Sequence, residues 1–348
     1  MKRCIYLNKT EPEVKFESEE HIFPAGIGGI QKLPMEYVSH ECNNRFSRME
    51  LQFMRNSHLS LPRQFVGPGK RGKLNPKKAT QGAIGIVENL KDQNISTLGY
   101  LSLGKPYSIS QIIINVKDNT CNFVSDKSFG DADKQSSDFI DNLSKYNGVY
   151  TLIEDSRFKD DEFIIGYHNG KWYVALSNKD LNTEINNYVQ KIVEQKPIRD
   201  GAPRYESEQI RMHQKLQFDE SSYFRICAKI IFNYLAFVKG QKFVLQKCFD
   251  PIRDWIVNGG DNNFANITGK EIESISAIQF PEQAHSLFIV KKGKSLFGFV
   301  SFYGNNSGTI VELSDDLEGY FNIEGFICDW KNRQEFKFID YISSLQEN

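Results

Sequence analysis

Within residues 19–46, EEHIFPAGIGGIQKLPMEYVSHECNNRF, the chain sets an acid beside a histidine at Glu20 and His21. A proline follows at Pro24, a glycine pair at Gly28-Gly29, and then Cys42-Asn43-Asn44. Water is a poor nucleophile, and an imidazole acting as general base removes its proton. A leaving oxygen gathers negative charge, which a divalent cation neutralises. Carboxylate and amide oxygens are hard ligands suited to Mg2+ or Mn2+. His21 as base, with Glu20 and Asn43 holding one such cation, is therefore a set suited to phosphodiester hydrolysis. Asn44 and Glu50 are additional candidates. Each residue also has a plain structural alternative: either asparagine caps a helix, Glu50 lies on a surface, and His21 serves as a structural histidine at a strand end.

These groups must be positioned by the elements around them. Glu20-His21-Ile22 closes a short strand pattern, Pro24 stops it, and the glycine pair permits a tight turn. From Ser39 the pattern becomes helical, with Phe46, Met49 and Phe53 recurring at three and four. Asn43 and Glu50, two turns apart, share a different face. The expected order is strand, turn, strand, helix, with a histidine on the first strand facing an asparagine on the helix.

The run EHIFPAGIGG…ECNNRF resembles the HNH endonucleases, members of the ββα-metal nucleases. The nearest subgroup carries Glu-His-Ile-x-Pro, a glycine pair and Cys-Asn near the helix start. The resemblance covers roughly residues 4–50. It implies a ββα-metal unit, His21 as general base, Glu20 and Asn43 as metal ligands, Mg2+ or Mn2+ as cofactor, and DNA as substrate. It also implies a setting in bacterial restriction or antiphage defence. Two departures stand out. Leu7 and Ser39 replace two cysteines of the zinc knuckles, leaving Cys4 and Cys42; tetrahedral zinc needs four ligands. His40 supplies at most one substitute, so no structural zinc is expected, and the unit leans on packing by Phe16, Ile22, Phe23, Phe46 and Met49. The middle asparagine of the motif falls near Pro34, which cannot play its part. These departures keep open a second reading, an HNH-like DNA-binding or complex subunit that has lost cutting. No base-stacking motif favours RNA.

The stretch 61–80, LPRQFVGPGKRGKLNPKKAT, has six Lys and Arg and no acid. Its Pro and Gly content predicts an extended linker. It reads either as solvated chain or as a phosphate grip by Lys70, Arg71 and Lys73, with Arg45 adding to it. The whole chain has a net charge of −1, so nucleic-acid binding has to come from such a local patch.

Beyond it, FIIGYHNGKWYVALS predicts a hairpin around Asn169-Gly170. Helices are expected over 183–196 and 222–238, and from an Asp250 cap with Pro251 at the first helical position. Strands are expected over 286–314. The fold class is α+β: an N-terminal ββα unit over 1–58, a basic linker over 59–82, and an α+β region with antiparallel strands and several helices over 83–348. An exposed stretch at 201–209 allows a subdivision near 200–220. That larger region would recognise a target, a protein partner or a small-molecule activator. Six scattered cysteines, no signal-like start and no membrane-length apolar run lead to the expectation of a cytoplasmic protein that does not engage membranes.

Overall fold

The computed structural model describes residues 2–68, 82–89, 96–195, 210–214, 218–268, 278–304 and 308–346. Contacts divide the chain into two compact units, one made of residues 1–80 with 216–348, the other of residues 81–215. Among the described residues, eight α-helices and fifteen strands in largely antiparallel sheets make the α+β class. No helix among them is long and apolar enough to cross a membrane.

The first unit opens without regular strands. The expected pair around the glycine turn is reduced to one isolated antiparallel bridge, His21–Lys32, and a second isolated bridge joins Arg3 and Thr10. A 3-10 turn at Ala25–Ile27 and then helix α1 (His40–Arg55) follow. Ser39 caps α1 by accepting from the Cys42 N–H, so neither Asn43 nor Asn44 is the cap. Cys42, Phe46, Met49 and Phe53 form its buried stripe. The stretch read as linker begins with a helix, α2 (Ser60–Val66), which buries Arg63 and Gln64. Pro62 lies in its first turn, where a missing N–H costs nothing. The rest of the basic block, including Lys70, Arg71 and Lys73, lies outside the described residues.

The second unit carries β1 (Gly85–Asn89), β2 (Ser96–Ser102), β3 (Lys105–Ser108), β4 (Ser110–Asn115), β5 (Thr120–Val124), α3 (Ala132–Leu143), β6 (Thr151–Glu154), β7 (Glu162–His168), β8 (Lys171–Leu176), α4 (Ile185–Gln195) and β9 (Ile210–His213). They form two sheets, ordered β3-β2-β1-β9 and β5-β4-β7-β8-β6. Among the described residues only β6 and β8 pair in parallel. The β7–β8 hairpin turns at Asn169-Gly170 as expected, with Asn169 at φ 49°. Gln111, fully buried, joins the two sheets by accepting from the Leu98 N–H and donating to Leu98 O and Ile109 O. The last residue of the expected 183–196 helix, and the 201–209 stretch, lie outside the described residues.

The chain then returns to the first unit with α5 (Glu220–Lys239), α6 (Gln241–Val244) and α7 (Asp250–Asn258). Asp250 is the first helical residue of α7 rather than its cap, one position from expectation. A six-stranded antiparallel sheet follows: β10 (Ala265–Thr268), β11 (His285–Lys292), β12 (Ser295–Ser301), β13 (Gly308–Ser314), β14 (Glu324–Asp329) and β15 (Gln334–Lys337), in the order β10-β13-β12-β11-β14-β15. Helix α8 (Phe338–Gln346) packs on β14 and β15.

Helix α5 is apolar on nearly every side and packs against α1 and against β11, β12 and β13. Each buried Phe or Ile there contributes roughly 1.5–3 kcal/mol. A helix of this kind needs a complete shell. That requirement groups 216–348 with residues 1–80 instead of with 81–215; the division at 215/216 lies within the subdivision allowed near 200–220, while the grouping of the C-terminal part differs from the region expected over 83–348.

Candidate functional site

The backbone of 20–22 pairs with 31–33: the Ile22 N–H donates to Gln31 O at 3.0 Å and the Leu33 N–H to Glu20 O at 2.8 Å. Extended pairing sends alternate side chains to opposite faces. Glu20 and Ile22 accordingly point into the core, at 5% and 0% exposure, while His21 stays half-buried. The turn between the two short arms needs Gly28, at φ 102°, whose absent side chain leaves room for Trp330.

Helix α5 reaches this hairpin with two polar groups one turn apart. The Asn233 amide donates to the His21 carbonyl at 2.9 Å and accepts from the Tyr6 hydroxyl at 2.6 Å. The Lys229 ammonium, fully buried, donates to Glu20 Oε1 and, at 2.5 Å, to Glu50 Oε1. It also lies over the Phe46 ring, 5.6 Å from its centroid. Burial pushes the Glu20 carboxyl up to about 7, against the pull of Lys229, with Glu50 adding to the rise. Burial alone would lower the Lys229 ammonium, but Glu20 and Glu50 outweigh it and hold it above its ordinary value. A cation facing two carboxylates keeps its proton.

The His21 imidazole makes no hydrogen bond among the described residues. Burial, then the charges of Lys32 and Lys229, hold it below its ordinary value, so it is neutral near pH 7. Asn43 is half-buried on α1 and donates to Ser18 Oγ at 2.8 Å, which ties the helix to the segment before Glu20. Asn44 is exposed and donates to His40 Nε2 at 2.8 Å, and His40 Nδ1 in turn meets Glu17 at 3.0 Å. Arg45 donates to Val257 O at 2.9 Å and Asn258 Oδ1 at 3.1 Å, where it satisfies carbonyls at the end of α7.

At the start of α1, Cys4 and Cys42 lie with their sulfurs 3.9 Å apart, and the Ser39 N–H donates to Cys4 Sγ at 3.4 Å. The hydrogen bond between Cys4 and Cys42 is the main cause that brings the Cys4 thiol down to about 5. Leu7 packs against the core beside them. The tertiary structure thus brings Cys4 and Cys42 together as buried free thiols.

Of the expected site residues, then, Glu20 and Glu50 come together on Lys229 beside His21, and Asn43 sits two helical turns before Glu50. Among the described residues no group of three or more His, Cys, Asp and Glu side chains is placed to hold a metal ion. The Mg2+ or Mn2+ implied by the resemblance does not fit these residues as arranged, because the Glu20 carboxylate is already satisfied by an ammonium. Lys229, Asn233 and Tyr6 escaped the reading of the sequence. The signal was present in ICAKIIFNYLAF: a lysine and an asparagine four apart inside a helix otherwise apolar all round. No family model, no curated protein and no solved structure matches the chain.

Proposed function

We infer that this chain is an HNH-type endonuclease that hydrolyses DNA phosphodiester bonds, with His21 as the general base. The observation that carries this reading is the His21 imidazole itself. It is half-buried and neutral near pH 7, has no hydrogen-bond partner among the described residues, and its backbone is held in place by Asn233. A neutral ring with an open nitrogen accepts a proton from an attacking water, and positioned bases of this kind contribute about 10²–10⁴-fold. The resemblance of EHIFPAGIGG…ECNNRF supplies the substrate class, and a setting in antiphage defence follows from the same resemblance.

The test is plasmid nicking, with and without added Mg2+ or Mn2+, by the intact chain and by His21→Ala. The expected result is nicking by the intact chain and a loss of at least about 100-fold in the variant. Nicking that survives His21→Ala would refute the assignment. A second reading, a DNA-binding or complex subunit without cutting, is favoured by one observation: Glu20 is engaged in a buried ion pair. DNA retention by both proteins, with no nicking in either metal, selects that reading.

A further inference from the structure

Cys4 and Cys42 come from segments 38 residues apart and hold their sulfurs 3.9 Å from each other as free thiols. The two segments already run side by side, because the Ile5 N–H donates to Tyr37 O at 2.8 Å. A disulfide sets its sulfurs about 2 Å apart, so the pair has about 2 Å left to close. The two sulfurs are not equivalent. Cys4 Sγ faces the start of α1 and takes the Ser39 N–H at 3.4 Å, where the positive end of a helix favours a thiolate. The buried Arg253 guanidinium, which also pairs with Asp250, donates to Ile5 O at 3.4 Å and adds positive charge beside Cys4. Cys42 lies in the first turn of α1 with its own N–H on Ser39 Oγ, placed as the second sulfur. Both side chains are buried, while Lys2 and Arg3 just before Cys4 are exposed, so a reagent that reaches the pair has to be small.

We propose that Cys4 and Cys42 form a redox site, closed to an intramolecular disulfide by a small hydroperoxide and reopened by a thiol. In the first step the Cys4 thiolate attacks one oxygen of hydrogen peroxide. The O–O bond breaks, Cys4 becomes a sulfenic acid, and the departing hydroxide takes up the proton that the thiol had lost. In the second step the Cys42 sulfur attacks the sulfenic sulfur. The S–O bond breaks, and the hydroxyl leaves with the Cys42 proton as water. Two thiols and one hydrogen peroxide thus become one disulfide and two waters, the thiols giving up two electrons and the peroxide gaining them. Two equivalents of a small thiol reverse the bond and are themselves joined as a disulfide. The closed form clamps the N-terminal turn to the first turn of α1, the helix that carries Asn43 and Glu50. This role does not depend on whether His21 serves a hydrolytic site.

The experiment treats the full chain, reduced beforehand, with a few equivalents of hydrogen peroxide. The cysteine peptides are then mapped by mass spectrometry without reductant, and thermal melts are recorded before oxidation, after it, and after added dithiothreitol. The expected product is a Cys4–Cys42 linked peptide, formed before the half-buried Cys121 and Cys248 are oxidised. The bond is expected to raise the melting temperature by at least about 4 °C, and dithiothreitol to return it. Cys42→Ala is expected to stop at the sulfenic acid, captured on Cys4 by dimedone, with no rise in melting temperature. Cys4 and Cys42 still free once Cys121 and Cys248 are oxidised would overturn the proposal. So would a bond from either one to another cysteine or to a second copy of the chain, or a Cys4–Cys42 bond that leaves the melting temperature unchanged or lower. Where Cys42→Ala does not fold, the peptide map and the melts of the full chain decide by themselves.

Discussion

His285 is fully buried, donates from Nε2 to Ile27 O at 3.0 Å and accepts the Tyr303 N–H at Nδ1 at 3.1 Å. It thereby fixes the turn after His21 to the six-stranded sheet. Burial brings its imidazole down to about 4. The unfolded chain titrates near the ordinary histidine value of about 6.5. Between these values the unfolded state binds a proton that the folded state refuses, so the stability from this group is complete above about pH 6.5 and is lost as pH falls toward 4. At about pH 5 the loss amounts to about 2 kcal/mol. Urea unfolding at about pH 7 and about pH 5 is expected to show this acid sensitivity in the intact chain and to show it reduced by that amount in His285→Phe. An equal pH dependence in both would refute the assignment. Around His21 the same scale of argument applies: its own ring has no hydrogen bond among the described residues, while Asn233 and Lys229 hold what lies beside it.

At the level of elements, α1 brings Asn43 toward Ser18 and Glu50 toward Lys229, and its first turn depends on Ser39. Ser39→Ala removes the acceptor of the Cys42 N–H and is expected to lower stability by about 1 kcal/mol in chemical denaturation. No change would mean that the cap is supplied otherwise. Gly28→Ala tests the hairpin that carries His21. A Cβ there would stand 2.3 Å from the Trp330 Cβ, at a positive φ unfavourable to any side chain. The expected cost is about 1–3 kcal/mol, with the turn displaced from the sheet. A variant of unchanged stability would show that the turn has room to shift. Helix α5 is the element on which the site depends, because 14 of its 20 residues are buried and its two polar groups hold the hairpin.

On the scale of the molecule, the second unit is an insertion between two parts of the first. It has its own apolar clusters, one beneath α3 and α4 and another around Ile86, Leu98 and Ile164. Residues between Cys4 and Val66 share one core with α5, α7 and the six-stranded sheet. A fragment of residues 81–215 is therefore expected to melt cooperatively by circular dichroism, and a fragment of residues 1–80 is not. Cooperative melting of the shorter fragment would show an N-terminal unit able to stand alone. What the sequence by itself determined is local. The stripe of Phe46, Met49 and Phe53, the Asn169-Gly170 turn and the breaks at Pro24 and Gly28 follow from periodicity and backbone preference, which act between near neighbours. The candidate site at Glu20-His21 and Cys42-Asn43 was marked by residue chemistry and by the resemblance, not by periodicity. Only the tertiary structure decided what Glu20 touches, because Lys229 lies 209 residues further along the chain. It also set Glu20 inward and His21 outward, and placed residues 216–348 with residues 1–80. Burial of α5 dictates all of these, and no spacing within a short stretch records which distant segments will complete the shell of an apolar helix.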